Sequence, residues 1–208
     1  MISIVDYGLS NLACVASACA YLGYEARIVE TGDGLEGSER IILPGVGAFG
    51  DAMRNLGERG LIPALNKSVV EDRVPFLGIC LGAQLICRDS DEFGMHEGLG
   101  WLDVPVRRVD TLGEKLRVPH TGWDNIEILR ESPLLDGIPP DSLFYFTHSH
   151  AAYPAGEDSV VATCAYGRPL AAVLQERNIF ATQFHPEKSQ KIGLELLSNF
   201  LKLPRDAV

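Results

Sequence analysis

Positive charge is scarce in this chain. Eighteen lysines and arginines stand against 28 aspartates and glutamates, a formal net charge of −10. Nothing basic is available to neutralise a phosphate backbone, so no nucleic-acid partner is expected. Long apolar runs are missing as well. The most hydrophobic stretch, "VPFLGICLGAQLIC" at residues 74–87, carries Gln84 and is too short to span a bilayer, so no membrane partner is expected. Arg27 is the first basic residue and Asp6 interrupts the apolar N-terminus, which argues against a secretory leader and for a cytoplasmic location. Cysteine is sparse and odd in number. Cys14, Cys19, Cys80, Cys87 and Cys164 show no framework spacing, which excludes a disulfide scaffold and leaves free thiols. Repeats, low-complexity tracts and composition breaks are also absent, so residues 1–208 read as a single domain.

What is present is strand and helix in alternation. "ISIVDY" reads as a buried first strand and "SNLACVASACAYLG" as a helix, with Ser10 or Asn11 near its cap and Gly23 at its end. Cys14 and Cys19 fill the core side of that helix. "EARIVE" and "RIILPG" are strands, "DAMRNLGERG" and "IPALNKSVVED" helices, and "VPFLGI" a buried strand entering a helix "LGAQLICRDS". The order predicts an α/β fold: a doubly wound, mostly parallel sheet with helices on both faces. From about Leu99 the signals change to short strands, "DVPVRRVD", "EKLRVPH", "NIEILR", "SLFYFTHSHAAY", "SVVATCAYG" and "AAVLQERNIFATQFH", so the second half is richer in antiparallel pairing. In the closing helix "SQKIGLELLSNFLKL", Ile192, Leu196, Leu197, Phe200 and Leu201 fall near one face and Pro204 marks the stop.

The chemistry begins at Gly78-Ile79-Cys80-Leu81-Gly82. Glycines flanking a thiol at a strand-to-helix turn fit the elbow that holds a nucleophile in strained backbone, where only hydrogen fits at the flanks. The helix N-terminus there favours thiolate, and the amide of Leu81 points to where an oxyanion would form. The rival is a buried cysteine in a glycine-containing loop. A nucleophile needs a base and the base an orienter. "FATQFHPEKS" offers His185 at a strand end, with Glu187 two residues on to hold its tautomer. "LPGVGAFGDAM" offers Gly45 and Gly47 before a helix, a turn whose amides suit an anion; it lacks the Lys-Ser/Thr of a phosphate loop. His148 and His150, two apart, would share one strand face. No third histidine or cysteine lies at ligand spacing, so no metal is expected. His96 and His120 read as solvated or packed residues, and "RDSDEFGMHEG" as a solvated helix end and loop.

"PGVGAF", "GICLGAQ" and "FHPEKS", in this order and spacing, with "DYGLSNL", "PHTGWDNI" and "FYFTHS", resemble the class I (triad) glutamine amidotransferases over essentially the whole chain. The similarity is strongest to the branch of glutaminase subunits that serve imidazole glycerol phosphate synthesis in the histidine pathway. The resemblance implies L-glutamine as substrate, no cofactor, Cys80 as nucleophile, His185 as acid and base, and Glu187 as its orienter. It further implies oxyanion contacts from the backbone of Gly47 and Leu81, and substrate contacts from Gln84 and Glu92. A separate (β/α)8-barrel cyclase subunit is the implied partner, met in a heterodimer near Trp123, Tyr145 and Lys188. Ammonia passing to it would yield imidazole glycerol phosphate and AICAR. The Gly-Val peptide of "PGVG" is expected to turn towards the thiol only when that partner is loaded.

Four positions depart from the family pattern: Ser10, Ala83, Asp124 in place of Asn after Gly-Trp, and His150 in place of an aromatic after His-Ser. None touches Cys80, His185 or Glu187. Three alternatives stay open: a paralogous subunit feeding a surface-sugar synthase, a stand-alone cysteine hydrolase of γ-glutamyl compounds, and an inactive scaffold.

Overall fold

The computed structural model describes residues 1–154, 156 and 158–204. Parallel strands dominate the first half. β1 (Ile2–Val5) lies between β2 (Ala26–Val29) and β3 (Arg40–Gly45), and β4 (Phe76–Cys80) pairs parallel with β3. β14 (Ile179–Thr182), from near the other end of the chain, joins β4 in parallel. Beyond it β13 (Leu170–Glu176), β12 (Val160–Cys164) and β9 (Glu127–Ile128) extend the sheet antiparallel. The order is β2-β1-β3-β4-β14-β13-β12-β9.

Period-two alternation puts side chains of each central strand on both faces. Ile2, Ile4, Ile42, Leu77, Ile79 and Phe180 share one core with α1 (Leu12–Tyr21) and α5 (Gln190–Lys202). Val5, Ile41, Leu43, Phe76 and Ala181 share the other with α2 (Phe49–Glu58), α3 (Leu61–Leu65) and α4 (Leu81–Leu85). This is the doubly wound α/β arrangement the alternation predicts. On α5, Leu196, Leu197, Phe200 and Leu201 are buried as expected and Ile192 is half-buried.

Two smaller sheets complete the second half. β8 (His120–Asn125) and β10 (Leu143–His148) form an antiparallel ribbon, and β11 (His150–Ala152), β7 (Leu102–Arg108), β5 (Cys87–Ser90) and β6 (His96–Glu97) form a four-stranded sheet.

Several local expectations are corrected. "LGAQLICRDS" is not one helix: α4 stops at Leu85 and the chain turns into β5. The carbonyls of Leu85, Ile86 and Cys87 accept from Leu99, Trp101 and Gly100, so tertiary pairing captures groups a longer helix would have used. "EKLRVPH" forms no strand before His120, and Pro119 has no N–H to give a ladder. The helix expected over "IPALNKSVVED" widens after Leu65 into a π turn, Asn66–Glu71. "SLFYFTHSHAAY" is split at Ser149 between two sheets, so His148 and His150 do not share one strand face. Asn11 is the N-cap of α1 without a capping bond from its side chain.

Candidate active site

β4 runs straight into α4 at Cys80, whose backbone sits at φ 54° and ψ −106°, a conformation costly for any L residue and held only when its surroundings impose it. The flanking glycines are what allow the close packing around it. A β-carbon on Gly82 would overlap the backbone of Leu43 on the neighbouring strand. One on Gly78 would lie 2.7 Å from the carbonyl oxygen of Gly82 and 2.9 Å from the amide of Ala83. Leu81 opens α4, so its amide is the first on the helical side of the turn. At five residues α4 is little more than one turn, and the macrodipole expected from a longer helix is correspondingly small.

His185 follows β14 and precedes a 3-10 turn, Pro186–Lys188, which folds Glu187 back beneath the ring. His185 Nδ1–H donates to Glu187 Oε1 at 2.7 Å with both side chains almost wholly buried. The pair is anchored by backbone: His185 N–H donates to the Tyr145 carbonyl at 2.9 Å, and the Ser189 hydroxyl to the His185 carbonyl at 2.6 Å. Nε2 therefore remains, with no hydrogen-bond partner among the described residues. Burial works against a charged ring, but the negative charge of Cys80, with Glu187 behind, prevails and raises His185 to about 10.

Cys80, Leu81 and His185 line one cavity of about 240 Å³, together with Val46, Gly47, Gln84, Glu92 and the segment Thr147–His150. Larger hollows of about 570 and 530 Å³ lie elsewhere, beside α3 and around Pro133–Leu135, and contain no cysteine or histidine. Gln84 Nε2 donates to the His150 carbonyl at 2.7 Å and to Gln183 Oε1 at 3.0 Å. Glu92 is not part of a solvated loop, as expected from the acidic run. Its Oε2 accepts the Phe49 N–H at 2.7 Å at the start of α2, and its Oε1 lies 3.3 Å from His150 Nδ1. Gly47 adopts φ +96°, whereas the neighbouring Val46 N–H donates to the Leu9 carbonyl at 2.8 Å and is not free to face the thiol.

The three residues assigned to a partner face are placed together only in part. Trp123 and Tyr145 are opposite one another on the β8–β10 ribbon, rings 5.8 Å apart, with Trp123 42% exposed. Lys188 is half-buried in the turn after His185. On the ribbon's inner side is a network that the sequence reading missed. His148 Nδ1–H donates to the His150 carbonyl at 3.0 Å, which leaves Nε2 to accept from His120 Nδ1 at 3.1 Å. His120 Nε2 then meets Asp124 Oδ2 at 2.8 Å, a contact that requires a proton shared between ring and carboxylate. Burial, reinforced by the neighbouring His120, lowers His148 to about 3; burial also lowers His120, against the pull of Asp124. Cys164 Sγ comes within 4.8 Å of His120 and Asp124 ligand atoms, but both nitrogens of His120 are already engaged.

A profile of the family "Glutamine amidotransferase class-I" matches residues 3–203. The chain belongs to that family. Among curated relatives of this amidotransferase is imidazole glycerol phosphate synthase subunit HisH 2 of Nitrobacter winogradskyi, 44% identical over 206 residues, covering 97% of each chain. Subunit HisH of Moorella thermoacetica is also 44% identical over 206 residues, covering 99% of this chain and 96% of its own. Solved structures agree in fold: a glutamine amidotransferase with TM-score 0.75 at 22% identity, over 96% of this chain and 99% of that one, and PurLQS from Thermotoga maritima with TM-score 0.74 at 19% identity, over 96% of both. No helix among the amidotransferase's described residues is long and apolar enough to cross a membrane.

Sequence reasoning also overlooked two further residues of the amidotransferase. Gln183 donates towards Cys80 Sγ at 3.8 Å as well as accepting from Gln84. It lies two residues before His185, but β14 ends at Thr182 and the chain bends at Gln183 and Phe184, so strand alternation does not announce it. Tyr7 is fully buried with a hydroxyl that has no hydrogen-bond partner among the described residues. No spacing in the sequence points to that.

Proposed function

We propose that this amidotransferase hydrolyses L-glutamine and delivers the ammonia to a separate (β/α)8-barrel cyclase subunit, with which it forms a cytoplasmic heterodimer making imidazole glycerol phosphate and AICAR in histidine biosynthesis. The observation that carries the chemistry is a cysteine on a strained elbow, sharing a cavity with an oriented, charge-favouring imidazole. Cys80 Sγ attacks the carboxamide carbon, and the C–N bond breaks as His185 gives its proton to the departing nitrogen. Water then attacks the thioester. His185 takes a proton from it, and Sγ leaves as thiolate. Glu187 keeps Nδ1 occupied, so that Nε2 performs both transfers. The backbone of Leu81 and Gly47 serves the oxyanion, Gln84 and Glu92 the amino-acid end, and Trp123, Tyr145 and Lys188 the partner face. Residues 1–208 act as one amidotransferase domain, without metal or cofactor.

The histidine assignment rests on the names of the relatives and on the length of chain they share. The Val46–Leu9 bond supports a resting state in which the Gly45–Val46 peptide is turned away from the thiol, and so a low turnover without the partner. Glutamate release is measured for the chain alone, then with the histidine-pathway cyclase and its nucleotide ligand. Strong stimulation, abolished in Cys80→Ala, is expected. Silence with that cyclase would move the assignment to another synthase, and full activity alone would indicate a free hydrolase.

A further inference from the structure

The side chain and the carbonyl of His150 engage both residues assigned to the substrate's amino-acid end. Its carbonyl accepts from Gln84 Nε2 at 2.7 Å, and its ring Nδ1 lies 3.3 Å from Glu92 Oε1. The other nitrogen, Nε2, lies 3.7 Å from Asp91 Oδ1. Neither ring contact is a full hydrogen bond: Nδ1 is buried without a hydrogen-bond partner among the described residues. Glu92 Oε2 is already occupied by the Phe49 N–H, so Oε1, the oxygen facing His150, is the one left for a ligand. The ring therefore stands beside the one carboxylate oxygen that an α-ammonium group would use.

Resting on the glutaminase reading, we propose that His150 is a substrate-positioning residue that sets affinity for glutamine through its charge: neutral, it leaves Glu92 to the α-ammonium group; protonated, it competes with that group for Glu92. Glu92 supports this role. Burial opposes its charge, but His150, the Phe49 amide and His96 outweigh burial and hold its carboxyl below the usual range.

The other charged groups around the ring do not reproduce the effect. His96 acts on Glu92 from β6 and not on the His150 ring. His148 donates its Nδ1–H to the His150 carbonyl, not to its ring, and burial keeps it uncharged. Cys80 and His185 share the cavity, and the charge of Cys80 acts on His185. On the paired strand, Arg108 is exposed and Arg107 is bound to Asp89. Asp91 places a second carboxylate beside the ring.

The test uses Cys80→Ala chain, which cannot turn over, titrated calorimetrically with L-glutamine at about pH 5.5 and 7.5. Binding about tenfold weaker at the lower pH is expected, the effect of one added charge beside the ammonium subsite. His150→Gln, which keeps a polar side chain but cannot charge, should reduce that ratio to less than about twofold; His150→Phe should do the same. Glutaramate, which has no α-ammonium, should not bind more weakly at the lower pH. Equal affinity of the Cys80→Ala chain at both pH values, or a pH dependence that survives in His150→Gln and His150→Phe, would overturn the proposal while leaving the glutaminase reading intact. Failure to bind glutamine at either pH would overturn both.

Discussion

Two histidine clusters line the same cavity, and they are held in opposite charge states. His185 and His148 are both buried and both hydrogen-bonded through Nδ1, yet one is raised to about 10 and the other lowered to about 3. Burial pushes both downwards. The difference is what the ring can reach. His185 meets the negative charge of Cys80 and a carboxylate that is itself 2% exposed, whereas His148 meets a neutral carbonyl and another imidazole. The network's carboxylate, Asp124, is one residue further away and 38% exposed, so its field is partly spent in water. A buried imidazole is thus charged where buried anions flank it on both sides, Cys80 first and Glu187 second, and not where the nearest carboxylate is half in water.

The largest test of this contrast is Glu187→Gln. It keeps the shape and removes the anion, so Nδ1 is no longer held as a donor to a carboxylate. The cyclase-stimulated kcat should fall about 100-fold or more with a much smaller change in KM. A loss of less than about threefold would mean that Glu187 does not orient the ring.

Stability against pH should separate the two clusters next. His185 gains protons on folding, so its contribution is fully present below about pH 6.5 and is lost as the pH rises through about 10. His148 does the reverse. The unfolded chain takes up a proton below about pH 6.5 that the folded chain refuses until about 3, so stability falls as the pH drops through that window. Urea midpoints should decline on both limbs. His148→Gln should flatten only the acid limb, and imidazole NMR should show one ring neutral at about pH 5. An unchanged acid limb in His148→Gln would dissolve the contrast.

The smallest effect is expected from Asp124→Asn. An amide N–H can donate to a neutral His120 Nε2, so the half-exposed carboxylate is replaceable at a cost under about 1 kcal/mol in thermal unfolding. A larger loss would show that the shared proton matters more to the fold than its exposure suggests.

Much of this was legible in the sequence, and the exceptions share a cause. The glycines of G-x-C-x-G and the run His185-Pro186-Glu187 are neighbours in the chain, so local sterics announce the elbow and the oriented ring. The sheet was legible for the same reason, since each β–α unit carries its own periodicity. Pairings between distant segments were not. α4 ends early because residues 98–102 claim the carbonyls of residues 85–88, and no property of "LGAQLICRDS" reveals that. The acidic turn bearing Glu92 looked solvated because Phe49, whose amide it binds, lies 43 residues earlier. His120 looked bland because its partner His148 is 28 residues away. Ser149, where one apparent strand divides between two sheets, carries no glycine or proline to mark the break.

The β8–β10 ribbon is a single layer. Trp123 and Tyr145 occupy its outer side, His120 and His148 its inner side, and the backbone of Tyr145 is bonded to His185 and Ser189. No intervening core insulates one side from the other. A substitution selected because it suits a new neighbour on the outside is therefore inherited by the chemistry on the inside. Drift in partner choice and drift in turnover should leave their marks on the same few residues, and the two sides of this ribbon should share one evolutionary history.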